Sequence, residues 1–192
     1  MNTILKSITV SIRALLVFTV LCGLIYPFCI HAIAQTFFKN QADGSLILQD
    51  GGVIGSHLIV QPFAKVSYFW PRPSAADYAT MPSGASNQGF TSKKLKETVL
   101  TRAQSFGVSE PQKIPSDLLF ASGSGLDPDI SLEGAYFQVS RVAKARSLGE
   151  AVLRNIVEQC VENPQWNIFG ERRVNVLLLN QTLDKIASST RE

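Results

Sequence analysis

The feature that most constrains this chain is an uncharged stretch of 21 residues from Ala14 to Ala34. At about 1.5 Å of rise per residue, roughly 20 apolar residues span the ~30 Å hydrocarbon core of a bilayer. Arg13 and Lys39 are the charged residues that bracket the stretch. A chain with such a segment is expected to work at a membrane, whatever its other residues do.

The stretch has two interpretations, a permanent transmembrane helix and a cleaved signal peptide. The apolar core of a signal peptide is only about 7–15 residues long, which is shorter than the run seen here. However, Ala32-Ile33-Ala34 resembles an A-x-A cleavage site, and Pro27 stands where a helix break could precede it. Length favours the anchor, and a secreted globular protein cleaved after Ala34 stays open as the alternative.

The charges before the stretch predict its orientation. Lys6 and Arg13 are basic, and no acidic residue precedes Ala14. Because positive residues are retained on the cytoplasmic side, residues 1–13 are expected in the cytoplasm, residues 14–34 in the membrane and residues 35–192 outside.

The composition of the outer part indicates one ordinary domain. All 15 acidic residues and 16 of the 18 basic ones follow Ala34, so this part is nearly neutral and a nucleic-acid partner is disfavoured. Cys22 and Cys29 lie in the apolar stretch and Cys160 stands alone, which excludes a disulfide within the domain. Cys160 is expected to be a buried structural thiol.

Strands and helices mix without βαβ regularity, which predicts an α+β domain after the single N-terminal transmembrane helix. The pattern predicts a long loop over Ser74–Gly89. It predicts a hairpin over 46–54 and strands over Gly55–Gln61, Val66–Trp70, Pro115–Phe120 and Val174–Leu179. Helices are predicted over Ser92–Phe106, Ser131–Arg146, from a capping box at Ser147 and Glu150 to Asn163-Pro164, and over Gln181–Ala187.

A glycine-rich loop, Ser122–Gly125, invites comparison with phosphate-binding loops. It lacks the G-x-x-x-x-G-K-[ST] pattern and the third glycine of G-x-G-x-x-G. A tight turn in which Asp127 or Asp129 caps the next helix is therefore favoured. His31 and His57 are the only histidines and have no zinc-site spacing. No catalytic residue and no metal site are predicted.

An aromatic cluster precedes this loop, formed by Phe63, Tyr68, Phe69 and Trp70. The favoured interpretation is core packing. The alternative is an interface to a membrane partner, since aromatic residues are enriched at interfaces; Tyr68, Phe69, Trp70 and the nearby Arg72 are its candidate residues.

An ordered set of motifs covers nearly the whole chain. It comprises residues 40–47, 55–59 with Gln61, Tyr68-Phe69, 72–75, 83–87, 121–128, 135–139, 141–146, 169–171, 174–176, 179–180 and 183–185. In these motifs the chain resembles the C subunit of the Kdp-type potassium-transporting ATPase. The resemblance implies a non-catalytic subunit of the bacterial inner membrane with one uncleaved span. Its implied partners are a channel-like A subunit (KdpA), a P-type ATPase B subunit (KdpB) and a very small subunit (KdpF).

The family is described as a catalytic chaperone that raises the ATP affinity of the ATP-hydrolysing subunit. The motif loop of the family corresponds here to Ser122, Gly123, Ser124, Gly125, Asp127 and Pro128. A signature-like Leu-Ser-x-x-Gln proposed in some members is absent, since Leu148 is followed by Gly149, Glu150, Ala151 and Val152. Because the domain is expected outside, ATP is expected only at the level of the complex. Direct nucleotide binding by this chain is the alternative.

Overall fold

The N-terminal segment is helical well beyond the uncharged stretch. A computed structural model describes residues 2–49, 51–108 and 110–189. Helix α1 (Asn2–Val20), a π-helical turn (Leu21–Ile25) and helix α2 (Tyr26–Phe37) follow one another without a break. Among the residues that the structure describes, Thr3–Phe37 is the one helix that is long and apolar enough to cross a membrane, as judged by length and composition.

Pro27 does not break this helix. The ring nitrogen of proline has no hydrogen to donate and its ring crowds the preceding turn. The π-turn just before Pro27 widens the helix, and the Tyr26 N–H bonds to the Leu21 carbonyl, five residues back. A wide turn of this kind accommodates the proline while the helix continues.

A short polar segment and a hairpin follow the long helix. Helix α3 (Lys39–Ala42) precedes strands β1 (Leu46–Gln49) and β2 (Gly52–Ser56), which pair as predicted; Asp50 of the predicted turn lies outside the described residues. The predicted strand Gly55–Gln61 is mostly wrong, because β2 ends at Ser56. The Ser56 hydroxyl accepts a hydrogen bond from the Leu58 N–H (3.1 Å), and such a turn competes with extended pairing.

Residues 54–192 form a compact unit separate from residues 1–53. Its sheet has three short antiparallel strands, β3 (Asp129–Ser131), β4 (Val161–Glu162) and β5 (Arg173–Asn175), in the order β3-β5-β4. Ile130 and Val161 both face Val174 in the register. The unit also contains the helices α6 (Leu132–Arg146), α7 (Glu150–Gln159) and α8 (Val176–Ser189). The α+β class is confirmed.

The core lies between these helices and the sheet. Its fully buried side chains include Phe69, Leu118, Ile130, Val139, Val142, Leu153, Val157, Val174, Leu179 and Leu183. Helix α4 (Lys93–Ser105), a 3-10 turn (Pro111–Lys113) and helix α5 (Ser116–Leu119) pack beside it. The predicted helices over 92–106 and 131–146 are confirmed. Each starts with a serine whose hydroxyl accepts a helix N–H, Ser92 from Leu95 (3.3 Å) and Ser131 from Gly134 (2.9 Å).

Two predicted strands are wrong. Pro115–Phe120 contains helix α5, since a short apolar run with a proline at its start suits a helical turn as well as a strand. The predicted strand Val174–Leu179 ends at Asn175, and α8 begins at Val176, five residues before the predicted helix. The Asn175 side chain accepts the Leu178 N–H (3.2 Å), which starts the helix.

The two predicted helix caps, the capping box at Ser147 and Glu150 and the cap at Asp127 or Asp129, are also wrong. Ser147 adopts the left-handed conformation (φ 54°) that ends α6, and Gly149 occupies the cap position of α7. Ser131, rather than Asp127 or Asp129, caps α6. Cys160 ends α7 and is half-buried rather than fully buried, with its Sγ 3.9 Å from the Thr182 hydroxyl.

Candidate docking surface

The predicted aromatic strand Val66–Trp70 is not a strand; side chains, not a neighbouring strand, bind its backbone. The Asn180 amide accepts the Phe69 N–H (2.9 Å) and donates to the Phe69 carbonyl (3.0 Å). The Gln138 amide does the same for Trp70, at 2.8 and 3.0 Å. Both amides are 1% exposed. Two helices therefore supply the hydrogen bonds that a second strand would normally give.

Two arginines of α6 also bind this segment. Arg141 Nη1 donates to the carbonyls of Val66 (2.7 Å) and Tyr68 (3.1 Å), and its guanidinium lies 3.9 Å from the centre of the Trp70 ring. Burial lowers the pKa of Arg141 to about 10, so it stays charged at neutral pH. The carbonyls and the ring face compensate a charge that is partly removed from water.

Arg146 forms a smaller network around Tyr68. Its Nε donates to the Ser67 carbonyl (2.6 Å) and its Nη2 pairs with Asp184 (2.8 Å). The Tyr68 hydroxyl donates to the other Asp184 oxygen (2.8 Å). This hydrogen bond, followed by burial, raises the pKa of Tyr68 above its usual value of 10.0. The cations at the end of α6 thus bind a loop as well as suiting the helix dipole.

The structure brings the two sets of predicted site residues together. Arg72 Nη1 lies 2.9 Å from Asp127 Oδ2, and each side chain is 29% exposed. The Ser122 N–H donates to the Pro73 carbonyl (3.1 Å), which holds the glycine-rich loop next to the end of the aromatic segment. Both groups were predicted from the sequence, but their contact was not.

Gly125 joins this loop to a second, longer one. It has a φ of +73°, and a Cβ there would lie 3.0 Å from the Gly84 carbonyl and 3.3 Å from the Ser74 hydroxyl. Only glycine fits such a conformation at such a close approach without strain. We call residues 74–92 and 121–128 the paired loops. They include the predicted loop Ser74–Gly89, which carries no regular element.

Of the other family-motif residues, Ser122 is buried and Gly123 is exposed. The exposed Ser124 accepts the Leu126 N–H on its hydroxyl (3.1 Å), and the Pro128 carbonyl accepts the Val176 N–H (3.0 Å). Among the candidate interface residues, Phe69 is fully buried, whereas Tyr68, Trp70 and Arg72 are half-buried.

The longer of the paired loops presents large apolar side chains to solvent. Residues 79–92 contain no charged residue. Within them, Met81 is 88% exposed and Phe90 is 96% exposed. These two exposed side chains in an uncharged loop make residues 79–92 a candidate contact surface. Neither residue was predicted from the sequence, although two large apolar residues in a loop of small and polar residues were a usable signal.

The glycine-rich loop does not lead directly into a helix. Strand β3 intervenes, and α6 begins at Leu132. A carboxylate already faces the first turn of α6: Asp117 Oδ2 accepts the Ser131 N–H (2.7 Å), and a Cβ on Gly134 would lie 2.8 Å from the same oxygen. The positive end of this helix, where a phosphate would bind, is thus next to a negative charge.

Comparison with known proteins gives one consistent result. The family model described as "K+-transporting ATPase, c chain" matches residues 8–185. A potassium-transporting ATPase KdpC subunit of Leptospira interrogans is 48% identical over 185 residues, which cover 94% of each chain. The KdpC subunit of Geobacter metallireducens is 47% identical over 190 residues, 95% of this chain and 100% of that one. That of Dechloromonas aromatica is 44% identical over 193 residues, 97% of this chain and 100% of that one. With a membrane-length helix, an α+β domain and a family match over most of its length, the chain belongs to the KdpC family of potassium-transporting ATPase subunits.

Proposed function

We propose that this chain is a non-catalytic subunit of a high-affinity, ATP-driven potassium uptake complex, needed for the assembly and stability of that complex. Membership of the KdpC family carries the proposal. The partners are the channel-like KdpA, the P-type ATPase KdpB and the small KdpF. The chain supplies a surface for contact, and the reaction belongs to the ATPase subunit.

The proposed arrangement places residues 1–13 in the cytoplasm, residues 14–34 in the bacterial inner membrane and residues 35–192 outside. Lys6 and Arg13 support this orientation. Retention of the anchor is supported by the helix, which runs through Ala32-Ile33-Ala34 to Phe37 and keeps the cleavage-like motif in helical backbone. The intact mass of the purified chain tests this point, because cleavage after Ala34 would remove 34 residues.

The paired loops are the proposed docking surface for the neighbouring subunits. The Arg72–Asp127 ion pair and the close approach of Gly125 to Gly84 join the two loops to each other and to the end of the aromatic segment. Met81 and Phe90 are the exposed apolar side chains that this surface offers for contact. Tyr68, Phe69 and Trp70 act as the support of this surface, with Phe69 in the core.

We propose that the chaperone effect on ATP affinity described for the family passes through contact between subunits. The carboxylate of Asp117 at the start of α6 disfavours a phosphate there. An external domain would also be separated from cytoplasmic ATP by the membrane. Direct nucleotide binding at Ser122–Gly125 is therefore the weaker candidate.

The test of docking uses the double variant Met81→Ser with Phe90→Ser, and Val152→Ser as its matched control. Val152 is 51% exposed on α7, away from the paired loops in the sequence. We expect the double variant to lose KdpA and KdpB on affinity purification and to lose potassium-stimulated ATPase activity, while the control retains both. Full recovery of the complex and its activity with the double variant would contradict docking by these loops. A stable, fully active complex purified from cells that lack the chain would overturn the proposed function itself.

Topology is tested separately with Asn155→Cys, a substitution at an exposed position of α7, outside the paired loops. A membrane-impermeant maleimide should label this variant in spheroplasts well beyond the unmodified chain, whose Cys160 is half-buried. Labelling only after the inner membrane is disrupted would place the domain in the cytoplasm.

A further inference from the structure

The loop between β4 and β5 ends in a cluster of exposed apolar side chains that the proposed function does not use. Trp166 is 84% exposed, Ile168 75% and Phe169 60%. The rings of Trp166 and Phe169 meet edge to face, with centroids 6.0 Å apart. Soluble surfaces rarely gather three such side chains at one point without a contact site. We call residues 163–170 the aromatic tip.

The backbone of the aromatic tip is internally hydrogen-bonded. Gln165 and Phe169 exchange two hydrogen bonds, at 2.9 and 3.0 Å. The Asn167 N–H donates to the Pro164 carbonyl (2.9 Å), and the Ile168 N–H donates to the Gln165 carbonyl (3.1 Å). Since these groups are already paired, the tip can enter a less polar environment without leaving them unsatisfied.

The composition of the tip suits the headgroup region of a bilayer. Residues 163–170 contain no charged residue, and the nearest charges in the sequence are Glu162 and Glu171. Exposed amides at Asn163, Gln165 and Asn167 alternate with the apolar side chains. Tryptophan and other aromatic rings prefer this level of a membrane, where one part of a side chain is apolar and its surroundings are wet.

The residues next to the aromatic tip, in β4, β5 and the end of α7, form ion pairs. These charges limit how deeply the tip can insert into a membrane. Arg173 pairs with Glu162 (2.8 Å) and Asp129 (2.9 Å), and Arg172 pairs with Glu158 (3.0 Å). These charges stay in water most favourably. Insertion should therefore be shallow and stop at the tip.

We propose that the aromatic tip binds the lipid headgroup region of the membrane in which this same chain is anchored. The inference rests on the anchor proposed above, and it requires no other subunit. Residues 38–53 connect the long helix to the domain and reach about 55 Å even when fully extended. Such a tether gives the bilayer a high effective concentration at the domain, which favours a weak lipid contact over a free protein partner.

The experiment uses the full chain reconstituted into phosphatidylcholine vesicles, with and without phosphatidylcholine that carries a nitroxide quencher on its headgroup. The chain has two tryptophans, Trp70 and Trp166. We expect the headgroup nitroxide to remove most of the Trp166 emission, seen as the difference between the unmodified chain and Trp166→Phe. A control variant, Phe90→Trp in the Trp166→Phe background, restores two tryptophans with the new one at an exposed apolar site. Its added emission should stay unquenched.

Flotation of the vesicles reports the anchor independently. A chain that floats with the vesicles but shows no quenching of Trp166, or equal quenching of Trp166 and of the control tryptophan, would overturn the lipid contact and leave the anchor intact. A blue shift of Trp166 that appears only after the other pump subunits are added would assign the tip to a protein partner and would also overturn the proposal.

Discussion

The side-chain amide of Asn180 pairs with both backbone polar groups of Phe69, at 2.9 and 3.0 Å, across 111 residues of sequence. Asn180 is 1% exposed and the Phe69 side chain is fully buried in the core. Asn180 of α8 thus supplies hydrogen bonds that a neighbouring strand would give to Val66–Trp70, the segment that the sequence pattern predicts as a strand. Together with Gln138 and Arg141 of α6, it positions the aromatic segment that leads to Arg72.

Asn180→Ala should therefore destabilise the domain strongly. It would leave a buried N–H and a buried C=O unpaired, which costs about 2–4 kcal/mol of unfolding free energy. Urea unfolding of the full chain in detergent micelles, followed by tryptophan emission, measures the loss. Asn155→Ala, the same change at an exposed site of α7, is the control and should stay within about 0.5 kcal/mol. Equal effects of the two variants would show that the amide pairing contributes nothing specific.

Arg141→Lys should also be costly, although it keeps the charge. A lysine ammonium cannot reach the Val66 and Tyr68 carbonyls, the Gln138 amide oxygen (2.6 Å) and the face of Trp70 together. We expect a loss of about 1–3 kcal/mol and a changed Trp70 emission maximum. Arg154→Lys is the matched control, because Arg154 is about half-exposed and lies 4.0 Å from Glu150. A change in Trp70 emission with Arg154→Lys but not with Arg141→Lys would contradict the assignment.

Residue patterns predicted much of the fold because its helices depend on local signals. Ser92 and Ser131 are N-cap residues that mark where their helices begin. Apolar residues recur at helical spacing along α6 and α7. The strands of the sheet are only two or three residues long, so alternation had too few residues to show. Asn175 ends β5 and caps α8 by accepting the Leu178 N–H; asparagine is a common helix cap, but the apolar residues on both sides of it suggested a continuing strand.

The site was less predictable for a different reason. Arg72 and Asp127 are 55 residues apart, and neither one signals its partner. Likewise, Gln138 and Asn180 look like ordinary polar residues on helices, and only the packed fold shows that they bind the backbone of Trp70 and Phe69. Long-range pairing between a loop and a helix leaves no periodic trace in a sequence.

Gly125→Ala should disturb the paired loops more than Gly123→Ala. At Gly125 a Cβ would meet the Gly84 carbonyl at 3.0 Å in a left-handed backbone, whereas at Gly123 it would meet nothing within 4 Å. The left-handed conformation alone costs about 1–2 kcal/mol for a residue with a side chain. We expect Gly125→Ala to lower the unfolding free energy by this amount or more and to weaken co-purification with KdpA and KdpB. The same losses with Gly123→Ala would argue against the close approach as their cause.

The Arg72–Asp127 pair should show measurable coupling in a double-mutant cycle. With Arg72→Met and Asp127→Asn, we expect a coupling energy of about 1 kcal/mol, at the upper end for ion pairs because both side chains are only 29% exposed. The Lys93–Glu97 pair is 91% and 63% exposed and serves as the control cycle, with about 0.3–0.5 kcal/mol or less. Equal coupling energies in the two cycles would mean that the Arg72–Asp127 pair does not fix the paired loops. Loss of the Arg72–Asp127 coupling energy in moderate salt would mean the same.

The Tyr68–Asp184 hydrogen bond predicts a loss of stability in alkali. The bond raises the pKa of Tyr68 above 10.0, so the folded state holds this proton more tightly than the unfolded chain does. The contribution of the bond is fully present below pH 10.0 and disappears as the pH rises through the pKa of folded Tyr68. Tyr68→Phe removes the bond at every pH. The difference in unfolding free energy between the two chains should therefore be constant from pH 7 to 9 and should shrink above pH 10. Absorbance titration near 295 nm follows the same proton directly, and a stability difference that stays flat through the tyrosinate transition would disprove the linkage.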